Sequence, residues 1–215
     1  MKESVESSIE FMKDYMEFGE HRVYLLMAIA RTRENPHLTS NSEVVFREVV
    51  KTESDVGRKY RKLRLLAENY RDDDGNPLTF RVYLTVNPRN TLKAYFNFLN
   101  RLQGWSKDMI YGDDAVDRKL QRIDQYWMSE LQRDKSKDDS LFLIDVDTKD
   151  IDVGDLKHRI ATYTDVLTVR ETPNGYHIVT EQFNYTMMEY IQEHDDIEVE
   201  TDRMLFIEFL DVDKG

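Results

Sequence analysis

Five short apolar segments and two helical segments make up the last third of the sequence, and their order constrains the fold more than any other feature. The apolar segments are rich in β-branched and aromatic residues, which is typical of strands. The predicted strands are 141–146, 166–170, 176–180, 197–199 and 204–210, and the predicted helices are 152–161 and 185–193. Apart from one extra short strand, the order is that of the split β-α-β unit. Right-handed crossovers then place the first and third strands side by side in the middle of an antiparallel sheet.

The first third of the sequence predicts helices. Apolar residues recur near helical spacing over 8–32 and again over 42–70, so both segments are predicted helices. The polar loop 71–77, Arg-Asp-Asp-Asp-Gly-Asn-Pro, is the clearest boundary in the chain. It divides a helical N-terminal region, 1–75, from an α/β core, 76–215.

Composition limits the chemistry and the partners of the chain. The 215 residues include no cysteine, so thiolate metal sites and disulfides are excluded and carboxylate and imidazole groups remain as ligands. The net charge of −12 counts against tight nucleic-acid binding by this chain alone. No apolar run approaches the roughly 20 residues that span a bilayer, and the first residues lack a secretory pattern. We therefore expect a cytoplasmic protein with no membrane partner.

Two carboxylates end the first strand of the split unit. Asp145 and Asp147 are two positions apart after the apolar run 141–144, and the period of a strand turns both to one face of the sheet. Two such charges repel each other unless a cation or a proton lies between them. A bound Mg²⁺ or Mn²⁺ ion that bridges to phosphate explains the pair economically. The alternative is an acidic, solvated strand end in a chain with 42 acidic residues.

Two turns carry further candidates. His177 begins a strand directly after a Pro-Asn-Gly turn, and Gly175 in that turn would let a phosphate approach the backbone. The alternative for His177 is a structural hydrogen bond. Arg89 lies between a predicted strand, 79–86, and a helix, where it is either a phosphate contact or part of a helix-entry turn.

One basic patch stands out in the acidic chain, on the second predicted helix and just after it. It is either a solvated helix face or a contact for a phosphate backbone. Its members are Arg58, Lys59, Arg61, Lys62, Arg64 and Arg71.

Together these pieces resemble the archaeo-eukaryotic primase superfamily, especially its primase-polymerase branch. The run 141–147, LFLIDVD, is similar to the family's hhhDhD motif, and Gly175-Tyr-His177 is similar to its small-x-His motif. The run 82–89, VYLTVNPR, resembles a strand and turn found upstream in primase-polymerases. Thr201-Asp202 is the best match to the third motif, a hydrophobic residue followed by Asp, and Glu208 is its rival.

The resemblance covers about residues 80–210 and implies an α+β fold. In that fold an RRM-like (βαββαβ), primase-type catalytic core follows an N-terminal helical extension. The implied activity is metal-dependent transfer of nucleotides from NTP or dNTP to a nucleic-acid 3′ end or to an initiating nucleotide. Nucleoside triphosphates, DNA or RNA, and a replication protein are the implied partners. The implied ligands of two Mg²⁺ or Mn²⁺ ions are Asp145, Asp147 and Asp202, which are also the catalytic residues. The implied nucleotide-binding residues are His177, Gly175, Asn174, Thr172 and Arg89.

Two alternatives remain open at this point. Because Thr201 is not strongly hydrophobic and the chain is acidic, the first alternative is a catalytically degenerate primase-fold module. Such a module would bind a nucleotide or a protein in a phage or mobile-element replication complex. The second is another Asp-x-Asp metal enzyme, such as a nucleotide-sugar transferase, which fits the downstream Gly-x-His turn less well.

Overall fold

Two antiparallel sheets form the fold of the computed structural model, which describes residues 4–38 and 43–210. In chain order the elements are α1 (Val5–Tyr15), β1 (Arg22–Ala30), β2 (Val44–Val50), α2 (Glu53–Asn69), β3 (Phe80–Thr85), β4 (Arg89–Asn90), α3 (Thr91–Ile110), α4 (Ala115–Leu120), α5 (Ile123–Gln132), β5 (Phe142–Val146), α6 (Val153–Ile160), β6 (Val166–Glu171), β7 (Tyr176–Thr180), α7 (Glu189–Gln192), β8 (Ile197–Glu200) and β9 (Met204–Leu210). The predicted α+β class is confirmed. Within the described residues, no helix is both long enough and apolar enough to cross a bilayer.

The first sheet has the strand order β2-β1-β3-β9, and the short β4 also pairs with β1. Its central strand, β1, is buried on both faces. Tyr24, Leu26 and Ala28 pack with α1 and α2 in the largest apolar core. On the opposite face, Val23 and Leu25 pack with residues of α3 and α5. A strand between two helical layers therefore carries a continuous apolar run instead of an alternating one.

The helical prediction for the N-terminal region is wrong in two places. The predicted helix 8–32 contains α1, which ends at Tyr15, and then the strand β1. The predicted helix 42–70 contains β2 and then α2. A short apolar run that is buried on both faces lacks the alternation of polar and apolar residues that marks a half-buried strand. Periodicity therefore does not distinguish it from a buried helix. The predicted start of the second helix, at residue 42, lies outside the described residues.

Strands from both sides of the predicted boundary at residue 75 share the first sheet. Met27 of β1 pairs with Tyr83 of β3, and β3 pairs in turn with β9 at the end of the described chain. The N-terminal region therefore contributes two strands to the sheet and is not a helical extension.

The second sheet has the order β6-β7-β5-β8, so its first and third strands, β5 and β7, lie side by side in the middle. This confirms the strand order and pairing predicted from the sequence. One face of the sheet packs on α6 and α7 through residues that include Ile144, Val146 and Ile178. The other face is turned toward the first sheet. An apolar seam joins the two sheets and contains Val86, Leu143, Val179 and Leu205, with Phe11 and Tyr15 of α1 packed against it.

Candidate functional site

A polar cleft of about 230 Å³ lies where the two sheets meet. Its walls come from β5, the β6–β7 turn and the β8–β9 connection on one side, and from the end of β1 and from β3 on the other. Tyr83, Leu143, Met204 and Phe206 give it an apolar part. The cleft contains most of the residues that the sequence predicted as a site, together with others that it did not.

One wall of the cleft is acidic. Asp145 pairs in register with His177 of β7 and with Glu198 of β8, while Glu200 lies opposite Leu143. Alternation along β5 turns Ile144 and Val146 toward the helices, so the carboxylates face the first sheet. Asp147 continues this face beyond the strand, where its N–H donates to the carbonyl of Asp196 (2.9 Å). The structure therefore brings Asp145 and Asp147 together, as predicted, and adds Glu200 to the same wall.

The acidic wall holds more negative charge than its neighbours neutralise. The pKa of Asp145 is raised to about 6, first by burial and then by the nearby carboxylates of Asp147 and Glu200, while Arg203 opposes them. Burial also raises the pKa of Glu200, against the ion pair that it makes with Arg203. The cluster is therefore stabilised by a proton or by an added cation.

His177 links the two sheets. It is buried, and the backbone N–H of Phe206 on β9 donates to its Nδ1 (3.1 Å). Since Nδ1 accepts, the ring proton sits on Nε2, which lies 3.5 Å from Oδ1 of Asp145. Burial and then the charge of Arg81 lower the pKa of His177 to about 4, so the ring is neutral at pH 7. His177 thus makes a structural hydrogen bond through Nδ1, which was the alternative to a functional role. Its Nε2 atom remains directed at the acidic wall.

The β6–β7 turn lies against the end of β5. The N–H of Gly175 donates to Oγ1 of Thr172 (3.0 Å), and Thr172 and Asn174, both predicted nucleotide-binding residues, line the cleft. A Cβ on Gly175 would lie 1.8 Å from the carbonyl oxygen of Val146 and 2.8 Å from the backbone nitrogen of Thr148. The structural requirement for glycine here is therefore close packing of two backbones.

The opposite wall is basic. Arg31 and Arg33 follow β1 and are exposed, and Arg81 lies on β3, where it pairs with Glu34. Arg31 lies over the ring of Tyr83, 5.3 Å from its centre. Among the residues that the structure describes, neither Arg31 nor Arg33 forms an ion pair. Their positive charge is therefore available to an anion that enters the cleft.

The sequence gives no direct indication of this basic wall, because the apolar spacing over 8–32 predicts a helix. Once 22–30 is recognised as a buried strand, the Arg-x-Arg sequence directly after it lies at a strand end, where charged side chains return to solvent. Its proximity to Asp145 depends on the packing of the two sheets, for which the sequence carries no local signal.

Three predicted site residues do not line the cleft: Gly175, which packs against the end of β5, and the pair Arg89 and Asp202. Arg89 is buried and donates two hydrogen bonds, of 2.7 and 2.9 Å, to the carboxylate of Asp202. Neither residue lines the cleft. The rival third carboxylate, Glu208, accepts from Tyr60 and Arg64 of α2, on the opposite side of the first sheet. The predicted set of Asp145, Asp147 and Asp202 is therefore not brought together.

The donor set fits a divalent ion that arrives with a phosphate ligand. In residues 4–38 and 43–210, no three His, Asp or Glu side chains are placed to hold a metal ion by themselves. Mg²⁺, however, usually binds through one or two carboxylates and completes its coordination with substrate phosphates and water. Asp145 and Asp147 meet that requirement, and Glu200 supplies further negative charge beside them.

The members of the basic patch that lie on α2 are neutralised within the fold, whereas Arg71, just after the helix, donates to the carbonyls of Glu68 and Tyr70. Arg58 pairs with Asp55, Arg61 with Glu6, and Arg64 with Glu68 and Glu208. Both Lys59 and Lys62 pair with the buried carboxylate of Glu48. This arrangement favours a structural role for the patch over a contact with a phosphate backbone.

Comparisons with protein-family models, with curated proteins and with solved structures found no match for this chain. The chemistry of the cleft is therefore inferred from its own residues.

Proposed function

We propose that the chain is a small metal-dependent nucleotidyltransferase of the primase-polymerase type that acts in the cytoplasm. The observation that carries this proposal is the opposition of Asp145 and Asp147 to Arg31 and Arg33 across one narrow cleft. Surplus negative charge on one wall and available positive charge on the other suit a metal-bound polyphosphate, because the carboxylates would hold the metal and the arginines would bind the phosphates.

The phosphates and the nucleoside of a nucleoside triphosphate would contact different residues of the cleft. Arg31 and Arg33 would bind the phosphate oxygens, and Tyr83 and Phe206 offer aromatic surface to the nucleoside. The chemistry supplied by bound Mg²⁺ or Mn²⁺ is charge neutralisation of the triphosphate and activation of the attacking 3′-hydroxyl. In the transfer, the 3′-oxygen bonds to the α-phosphorus, pyrophosphate leaves, and the hydroxyl proton passes to solvent.

The fold supports the same proposal. A βαββαβ unit packed against a second sheet with flanking helices is the architecture that the resemblance to primase-polymerases implies. Asp145 of the first motif and His177 of the second are neighbours across paired strands, with Nε2 of His177 3.5 Å from Asp145, and Asp147 follows directly after the strand. We therefore propose that the unit from β5 to β8, within residues 141–200, is the RRM-like part of a primase-type core.

The first test is calorimetric titration of a non-hydrolysable deoxynucleoside triphosphate, with and without Mn²⁺. We expect binding that requires Mn²⁺ and is lost in the double variant Asp145→Ala/Asp147→Ala, because both carboxylates line the cleft. The double variant Asp113→Ala/Asp114→Ala, which lies outside the cleft, is the control and should bind like wild type. Absence of Mn²⁺-dependent binding in the wild type would rule out the proposal.

A second candidate function is nucleotide binding without catalysis, in a replication complex with a protein partner. It is favoured by the position of Asp202, whose ion pair with Arg89 leaves the predicted third carboxylate outside the cleft. The two functions differ in primer extension with Mn²⁺ and dNTP. Extension that is lost in Asp145→Ala supports the transferase, whereas Mn²⁺-dependent binding with no extension or primer synthesis supports the binding module.

A further inference from the structure

The turn Asn87-Pro88-Arg89 contacts both chain segments that carry the acidic wall. The buried side chain of Asn87 donates to the carbonyls of Leu141 (3.0 Å) and Thr201 (3.3 Å), and its oxygen accepts from the N–H of Leu141 (2.8 Å). Leu141 immediately precedes β5, and Thr201 lies in the connection from β8 to β9. One amide therefore holds the entry of the Asp145 strand and the turn beyond Glu200 at a fixed separation.

Arg89 holds the connection between β8 and β9 through an ion pair with Asp202. Its guanidinium donates bidentate hydrogen bonds to both carboxylate oxygens of Asp202, and both side chains are largely shielded from water. Such a pair fixes orientation as well as distance. A third contact, from the N–H of Val86 to the carbonyl of Arg203 (3.1 Å), continues the attachment to the first sheet. The connection between β8 and β9 is thus fixed on both sides of Asp202.

These contacts determine the position of the β8–β9 connection because β8 is an edge strand. It has four residues and pairs on one side, with β5. A short edge strand with a single partner strand has few hydrogen bonds to fix its end, so the following turn decides where Glu200 and Arg203 lie. Both of these side chains line the cleft, whereas Arg89 and Asp202 do not.

We propose that Asn87, Arg89 and Asp202 are positioning residues. They hold the 200–203 connection against the entry of β5 so that Asp145, Glu200 and Arg203 face one cleft. The consequence for metal-dependent nucleotide binding rests on the proposed function, whereas the consequence for the geometry of the cleft does not.

The test compares this ion pair with a matched buried pair outside the cleft. Asp202→Asn and Arg89→Lys weaken the contact, and Glu130→Gln weakens the ion pair between the buried Glu130 and Arg101 (2.6 Å) in the α3–α5 helices. Each variant is measured by thermal unfolding, by methyl NMR of Leu143, and by Mn²⁺-dependent binding of a non-hydrolysable dNTP. Leu143 reports on the cleft because it lies opposite Glu200 and is distant in sequence from every substitution.

We expect all three variants to lose stability, because each weakens a buried charged pair. Only Asp202→Asn and Arg89→Lys should shift the Leu143 methyl resonances, and they should weaken nucleotide binding by about 10-fold to 100-fold. Unchanged Leu143 resonances in both folded variants would overturn the positioning role. If the wild type binds no nucleotide, the proposed function fails, and the Leu143 resonances still decide whether these residues position the wall.

Discussion

At the scale of single residues, the cleft contains two neighbouring groups whose pKa values move in opposite directions. The pKa of Asp145 rises from 3.8 to about 6 and that of His177 falls from 6.5 to about 4, in both cases mainly because burial disfavours the charged form. Both groups are therefore neutral in the folded protein near pH 5. An unfolded chain at that pH would carry the negative charge of Asp145 and the positive charge of His177.

These shifts predict opposite effects on stability in one pH window. The raised pKa of Asp145 lowers stability as the pH rises from about 4 to about 6, because the unfolded chain releases that proton first. The lowered pKa of His177 lowers stability as the pH falls from about 6.5 to about 4, because the unfolded chain binds a proton that the fold excludes. In the wild type the two effects oppose each other.

We expect Asp145→Asn to gain stability relative to wild type as the pH rises through this window. The gain should reach on the order of 1–2 kcal/mol at pH 7, after allowance for the partial exposure of the side chain. Urea unfolding at intervals between pH 4 and pH 7 measures the difference. The stability deficit of His177→Gln should shrink over the same window as the pH falls. Parallel stability curves for Asp145→Asn and wild type would show that Asp145 has an ordinary pKa.

The two exposed arginines of the basic wall give a second residue-scale prediction. Arg31→Gln/Arg33→Gln should weaken Mn²⁺-dependent triphosphate binding by about 10-fold or more, because two cationic contacts to phosphate are lost. The unfolding free energy should change by less than about 0.5 kcal/mol, since neither arginine forms an ion pair in the described residues. Arg58→Gln on α2, which removes an exposed arginine outside the cleft, is the matched control. Equal affinities in all three proteins would place the phosphates elsewhere.

At the scale of elements, sequence patterns predicted the second sheet well and the first sheet poorly. The strands 141–146 and 176–180 are short and bounded by turn residues, and their partners follow from connection rules. In contrast, β1 lies between two helical layers, so nearly every side chain is apolar and the strand period is absent. The identity of such a segment depends on what packs against each face, which is information from the rest of the chain.

The packing of the β6–β7 turn against β5 predicts a strict requirement for glycine. Gly175→Ala would place a methyl group within 1.8 Å of the carbonyl oxygen of Val146, so the turn must move away from the end of β5. We expect a loss of stability of about 3 kcal/mol or more, measured by urea unfolding. Gly104→Ala is the control, because the added methyl group would have no atom within 4 Å apart from the adjacent backbone of its own helix. In the helix α3 it should increase stability by about 1 kcal/mol. A similar small gain for Gly175→Ala would show that this turn does not pack closely on β5.

At the scale of the whole molecule, the chain completes its first sheet last. It leaves that sheet after β4, builds the α3–α5 helices and the second sheet, and returns as β9 to pair with β3. The cleft forms because this return brings β8 and β9 past the arginines that follow β1. Asp145 and Asp147 could be predicted from sequence because they share one strand end. The basic wall and Glu200 could not, because they join those residues through contacts between the two sheets.

This topology predicts that the chain does not divide at residue 75 into independently folding parts. A fragment of residues 76–215 lacks β1, so the apolar side chains of Phe80, Val82 and Leu84 on β3 lose partners in the main core. We expect the isolated fragment to show no cooperative thermal transition and to regain one when it is mixed with a fragment of residues 1–75.

The control is the intact protein cleaved after folding, at a protease site inserted into the exposed loop 73–75, since it contains the same two pieces. It should keep most of its stability, because seventeen residues of α2 and the pairing of β1 with β3 hold the pieces together. Cooperative unfolding of the isolated 76–215 fragment would instead support the two-region division predicted from the sequence, and β1 would then be an accessory strand.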